Sequence, residues 1–119
     1  MLSLPPTVRI WLSARPADLR KSFDGLAGLV REWLGSDPLC GHVFVFRNKA
    51  ADRVKLLVWD EDGYIIYYKR LEDGTFRFPV SANQTSVSIR ATDLLMLLDG
   101  VDLGSVQRRR RYRRTATPA

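Results

Sequence analysis

The sequence predicts an α+β domain in which a mainly antiparallel sheet, a three-stranded meander plus an N-terminal strand, is packed with one long and one short helix. Three observations lead there. Residues 42–48, 54–60 and 64–71 are β-rich runs of strand length separated by short polar segments, the pattern of a meander. Leu19, Phe23, Leu26, Val30 and Trp33 recur at steps of three and four, which places them on one helical stripe. Residues 93–99 form a second, short and very apolar helix closed by Gly100.

The elements follow in order. Residues 7–13 alternate imperfectly and end in an apolar run, and Pro5 and Pro6 start a helix poorly, so this segment is a strand that pairs with the meander. The long helix runs from about residue 18 to residue 34. Asp18 suits the positive end of its dipole, Pro16 is compatible with the entry, and Gly35 supplies a left-handed stop. Gly25 and Gly28 inside it each cost about 1 kcal/mol relative to Ala, and close packing against the sheet would explain them. Asp62 and Gly63 form a two-residue turn between antiparallel strands, because Gly accepts positive φ without steric penalty. Residues 72–74 turn the chain again into a short β segment at 75–79, residues 80–85 are linker-like, and residues 86–89 add a strand. The helices cover one face of this sheet. Both faces of the strand at 43–46 are apolar, however, and residues 64–68 offer no polar face before Lys69. The side away from the first helix is therefore covered either by the second helix or by another copy of the chain, in a homodimer.

With 119 residues, 45% of them hydrophobic and 27% charged, there is room for one domain with one core. No run of about 18 apolar residues is present to span a bilayer. The first residues lack a basic leader and are interrupted by Pro5 and Pro6, so no signal peptide is expected. A lone Cys40 forms no intrachain disulfide, and the expected location is cytoplasmic. Charge divides the chain more sharply. There are 19 Lys plus Arg against 13 Asp plus Glu, and six of the arginines lie in RRRRYRR at 108–114, so the whole excess of +6 sits there and the rest is balanced. Like charges this dense repel one another and bury no apolar area, which sets residues 1–104 as the domain and 105–119 as a mobile arm. Arg108, Arg109, Arg110, Arg111, Arg113 and Arg114 carry guanidinium forks that match phosphate oxygens, and Tyr112 has a ring to stack on a base. The arm is either a nucleic-acid contact or a solubilising terminus.

Catalytic chemistry finds little support. A two-metal nuclease needs carboxylates from separate elements to converge. The densest acidic cluster, Asp60, Glu61 and Asp62, sits at a hairpin turn where successive side chains diverge. Asp18 and Asp24, six apart, fall on different helical faces. His42 is the only histidine and Cys40 the only cysteine, too few for the usual zinc sets within one chain, and no third group completes a nucleophile pair. Core or edge packing is the stronger reading for both. With no GxGxxG or Walker-type loop, no cofactor is expected.

The ordered series GHVFVFRNK, DRVKLLVWDEDG and YKRLEDGTFRFP, preceded by RPADLRKSFDGLAGLV and followed by LLMLLDGVD, resembles the accessory protein called TnpB, or Orf2-like, of bacterial insertion-sequence-66 transposons. That family is unrelated to the RNA-guided nuclease of the same name. The matches span most of residues 8–103 and include the family's RKxFDGL and terminal LLxGxD segments. The resemblance implies a helper in DNA transposition, with the cognate transposase, which carries its own catalytic acidic residues, as a partner. Leu103 stands where the family commonly has Trp, and Arg90 where a capping Ser or Thr is expected. The resemblance assigns no role to the arm, and any role given to it rests on its chemistry alone.

Binding positions fall in three further groups. Arg20 and Lys21 lie beside the helical stripe, within RKxFDGL. Arg47, Lys49, Arg53 and Lys55 surround the first hairpin, and Lys69, Arg70 and Arg77 flank the last. Trp59, Tyr64, Tyr67, Tyr68, Phe76 and Phe78 intersperse aromatics among them, either as core or as stacking surface, with core favoured. These observations imply a non-catalytic accessory protein that contacts DNA, largely through phosphates, and the transposase. The alternative is a protein–protein adaptor or regulator with no direct DNA contact.

Overall fold

A strand that is apolar at every position, as residues 43–46 are, persists only where both sheet faces are covered. The computed structural model, which describes residues 5, 7–81 and 83–100, places it accordingly. The elements are β1 (Ile10–Ser13), α1 (Phe23–Leu34), β2 (Val43–Arg47), β3 (Arg53–Asp60), β4 (Gly63–Arg70), β5 (Ser86–Ile89) and α2 (Ala91–Leu98). They form one α+β fold around a five-stranded sheet of order β4-β3-β2-β1-β5, with β2 at its centre. β1 runs parallel to β2, and the other pairings are antiparallel.

The two-residue period of the strands sorts the core into two layers. Val43 and Val45 of β2 join Ile10, Leu12, Val54 and Leu56 in a cluster closed by Phe76 and by Leu94, Leu97 and Leu98 of α2. Phe44 and Phe46 join Leu57 in a second cluster closed by Leu26, Ala27, Leu29 and Val30 of α1. The helices thus lie on opposite faces, which corrects the expectation that they share one. Both faces of β2 are covered within a single chain, so these apolar residues do not require a second subunit. Among the described residues no helix is long and apolar enough to cross a membrane.

α1 has 12 residues and begins at Phe23, later than its apolar spacing implied. The cause is local. Asp18 Oδ1 accepts the Arg20 backbone N–H at 3.0 Å, and the Lys21 N–H donates to the Asp18 carbonyl at 3.1 Å, a turn that competes with helix. Leu19 is nevertheless buried, from outside the helix, while Phe23, placed on the stripe by spacing, is 45% exposed at its start. The stop at Gly35 is as expected, with φ 60° and its N–H bonded to the Val30 carbonyl. Gly25 owes its place to Lys21 rather than to the sheet, because a Cβ there would lie 2.9 Å from the Lys21 Cβ; at Gly28 a Cβ would meet nothing within 4 Å. Gly28→Ala is therefore expected to raise stability by about 0.5 to 1 kcal/mol, with no comparable gain from Gly25→Ala. Thermal melts of the two variants check this, and equal gains would mean that Lys21 moves aside freely.

The β3–β4 turn is displaced by one residue from the expected Asp62 and Gly63. Gly63 pairs with Asp60, and the positive φ of 53° falls on Glu61, because the Asp62 N–H donates back to the Asp60 carbonyl at 2.5 Å. Residues 75–79 form no strand. Phe76 is instead drawn into the core by its N–H bond to the Ala51 carbonyl at 2.7 Å, and Leu71 bonds Asp52 at the same distance. The β2–β3 loop that receives them is tied by Asn48, whose side chain donates to Asp52 at 2.6 Å and accepts the Arg53 N–H at 3.0 Å. α2 starts earlier than expected, at Ala91. Asp93 accepts the Arg90 N–H at 3.2 Å and supplies the cap that Arg90 lacks as a side chain. At its other end the Lys69 ammonium donates to the Leu98 carbonyl at 3.0 Å, a cation at the negative end of a helix.

Candidate nucleic-acid interface

Antiparallel register brings distant basic residues together on the α1 side of the sheet. In β3, Arg53 and Lys55 share the parity of Leu57, which packs beneath α1, and they stand opposite Arg70 and Tyr68 of β4. The Lys55 ammonium donates to the Lys21 carbonyl at 2.9 Å and lies 4.8 Å from the centre of the Tyr68 ring. Arg53 donates to the Tyr68 hydroxyl at 3.3 Å. Two segments separated by more than thirty residues, the RKxFDGL turn and the edge hairpin, are so joined through Lys55.

Burial and pairing then decide which of these cations remain outside ion pairs among the described residues. Arg20 forks onto Asp18 at 2.8 Å, and Arg70 onto Glu72 at 2.8 Å. The side-chain bonds from Arg20, followed by its backbone N–H, hold the Asp18 carboxyl down at about 2, so the pair persists at any ordinary pH. Glu72 likewise raises Arg70. Lys55 is 9% exposed and serves as a strap between β3 and the segment before α1. Lys21 is exposed and Arg53 half-buried, and among the described residues neither has a carboxylate partner. Arg53 stands directly opposite Arg70, a like-charge pairing that destabilises the sheet slightly.

The remaining expected positions do not join this cluster. Arg47 lies on the α2 side, 5.7 Å from the Phe78 ring, and donates to the Asn48 carbonyl. Lys69 clamps α2, as described. Lys49 is exposed on the β2–β3 loop, and Arg77 is exposed beyond β4. Arg108, Arg109, Arg110, Arg111, Tyr112, Arg113 and Arg114 lie outside the described residues. Core packing holds for Phe76, and Trp59 and Tyr64 meet edge to face at 5.1 Å, but Tyr68 is 49% exposed. Asp18, Glu72 and Asn48, which neutralise or organise the surroundings, are missed by sequence reasoning; only the two-residue spacing of Asp18–Arg20 and Arg70–Glu72 signals them.

Asp60, Glu61 and Asp62 are exposed at their turn, and among the described residues no group of three His, Cys, Asp or Glu is placed to hold a metal ion. Cys40 is exposed rather than packed, while His42 Nδ1 accepts the Arg9 N–H at 3.0 Å, an edge role.

The family described as IS66 Orf2 like protein matches residues 8–108. Two similar proteins of Sinorhizobium fredii (strain NBRC 101917 / NGR234), "Uncharacterized protein y4jC" and "Uncharacterized protein y4hO", are each 36% identical over 102 residues, which is 86% of this chain and 86% and 88% of theirs. No solved structure matches the chain.

Proposed function

Because the chain belongs to the IS66 Orf2-like family, with the transposition-associated accessory role of that family, we propose that it joins insertion-sequence DNA to the transposase as a non-catalytic subunit. The observation that carries this reading is the meeting of Arg53 and Lys55 at Tyr68, with Lys55 tied to the Lys21 carbonyl, Arg70 opposite Arg53 in the neighbouring strand, and Lys21 and Arg53 outside the ion pairs among the described residues. A cationic surface of this kind suits phosphate oxygens, and the arginines of residues 108–114 add a second, sequence-independent contact. Phosphate contacts position a protein on DNA without reading its bases, so preference for transposon ends belongs to the transposase or to other surfaces. The non-catalytic part is supported by the placement of the Asp60 to Asp62 carboxylates on an exposed turn, where they diverge instead of converging.

A second reading, an adaptor without DNA contact, is favoured by Leu95 and Met96, which are 44% and 39% exposed on the outer side of α2. One experiment separates the two. The purified chain is titrated with transposon-end duplex and, in a separate arm, with the cognate transposase, in the presence of magnesium. Binding in both arms without strand cleavage is expected, with a Kd for DNA of about 10⁻⁴ to 10⁻⁶ M or tighter at physiological salt. Binding to transposase alone establishes the adaptor. Cleavage that disappears in a folded Asp60→Asn variant overturns the non-catalytic assignment.

A further inference from the structure

We propose that the ring of Tyr68 is a stacking platform for an unpaired base, so that the α1 side of β3 and β4 selects single-stranded over duplex DNA. This rests on the reading that the protein contacts DNA, and it names which form of DNA that surface takes.

Three observations carry it. First, Tyr68 is 49% exposed although it sits in a regular strand beside a packed core, and its neighbours on the same face of β4, Tyr64 and Ile66, pack against the α1-side cluster. Second, the ring is held in place. Arg53 bonds its hydroxyl at 3.3 Å and the Lys55 ammonium sits 4.8 Å from its centre, with Lys55 itself anchored to the Lys21 carbonyl. A half-exposed aromatic fixed from its edge and by one cation loses little freedom when a base settles on it. Third, Arg53 touches the ring's hydroxyl, and Lys21 stands on the segment whose carbonyl anchors Lys55. Lys21 and Arg53 have no carboxylate partner among the described residues, so a phosphate on either side of a stacked nucleotide finds a counter-charge. Phe23, 45% exposed two residues beyond Lys21, adds a further apolar surface on this side.

The chemistry selects an unpaired strand for a simple reason. In a duplex both faces of each base are covered by its neighbours, and a side chain cannot reach them without unstacking. A single strand presents those faces freely, and aromatic platforms flanked by cations are how such strands are held. Duplex DNA offers this surface only phosphates, which Lys21 and Arg53 meet equally well in either form.

The test uses the full chain, short oligothymidine as the single strand, and a duplex of the same length. Kd for each is measured by fluorescence anisotropy for the parent, Tyr68→Phe, Tyr68→Leu and Tyr68→Ala, with folding checked by thermal melting. Loss of one stacked base corresponds to about 5- to 150-fold in Kd. Tyr68→Leu and Tyr68→Ala are expected to lose that factor on the single strand and to bind the duplex as the parent does, with Tyr68→Phe close to the parent on both. Tyr68→Leu keeps apolar cover over the strand, so the comparison stands even where Tyr68→Ala fails to fold. Equal losses on both DNAs, or no loss on either, overturn the platform while leaving DNA binding intact. A parent that binds neither DNA overturns the platform together with the reading beneath it.

Discussion

Phe44→Ala is expected to lower the stability of the domain by about 3 to 5 kcal/mol, whereas Phe23→Ala should cost only about 1 kcal/mol. Phe44 is 1% exposed on the central strand and packs with Phe46 and Leu57 beneath α1. Truncating it opens a cavity that β2, hydrogen-bonded to a strand on each side, cannot collapse to fill. Phe23 lies at the first residue of α1, nearly half exposed, so truncation there removes a ring already partly in water. Against a total stability of about 5 to 15 kcal/mol, the first loss is a large fraction of the whole. Thermal melts decide it. A Phe23→Ala protein that melts as low as Phe44→Ala would place the start of α1 on the sheet, against the geometry described.

What was legible in the sequence was local. The apolar periods of β2, β3 and β4, the left-handed stop at Gly35 and the strand at Ser86–Ile89 all appear where spacing and turn chemistry put them. The start of α1 was not legible, because the Asp18 carboxylate takes the Arg20 N–H and a four-residue turn at 18–21 replaces the first helical residues. Nor were partners. The parallel pairing of β1 with β2, and the return of β5 to the far side of β1, depend on long-range docking that no local pattern encodes. The candidate site divides along the same line. The chemistry, basic residues among aromatics, could be read directly, but the sequence shows neither that Lys21 meets β3 nor that Lys55 and Lys69 spend their ammonium groups on backbone carbonyls. A long lysine chooses its acceptor by tertiary reach. The exposure of Tyr68 was hidden for a related reason, since aromatic residues in a strand are most often core, and only the edge position of β4 spares this one.

The proposal that this protein holds DNA by its phosphates, through residues 108–114 and through the cationic surface beside α1, sets a definite salt dependence. Each phosphate contact contributes about −0.9 to the slope of log K against log salt. The six arginines of residues 108–114 therefore account for at most about −5 of that slope, which over a fourfold rise in salt is roughly a thousandfold in affinity. Lys21 and Arg53 add at most about −2. The measurement is the salt dependence of binding to transposon-end duplex by the full chain, by the chain without residues 108–119, and by a folded Lys21→Glu/Arg53→Glu protein. The account predicts a marked flattening on removal of the arm and a smaller one on charge reversal, both with sequence preference unchanged. Identical slopes and affinities for all three proteins would contradict it and leave the protein an adaptor.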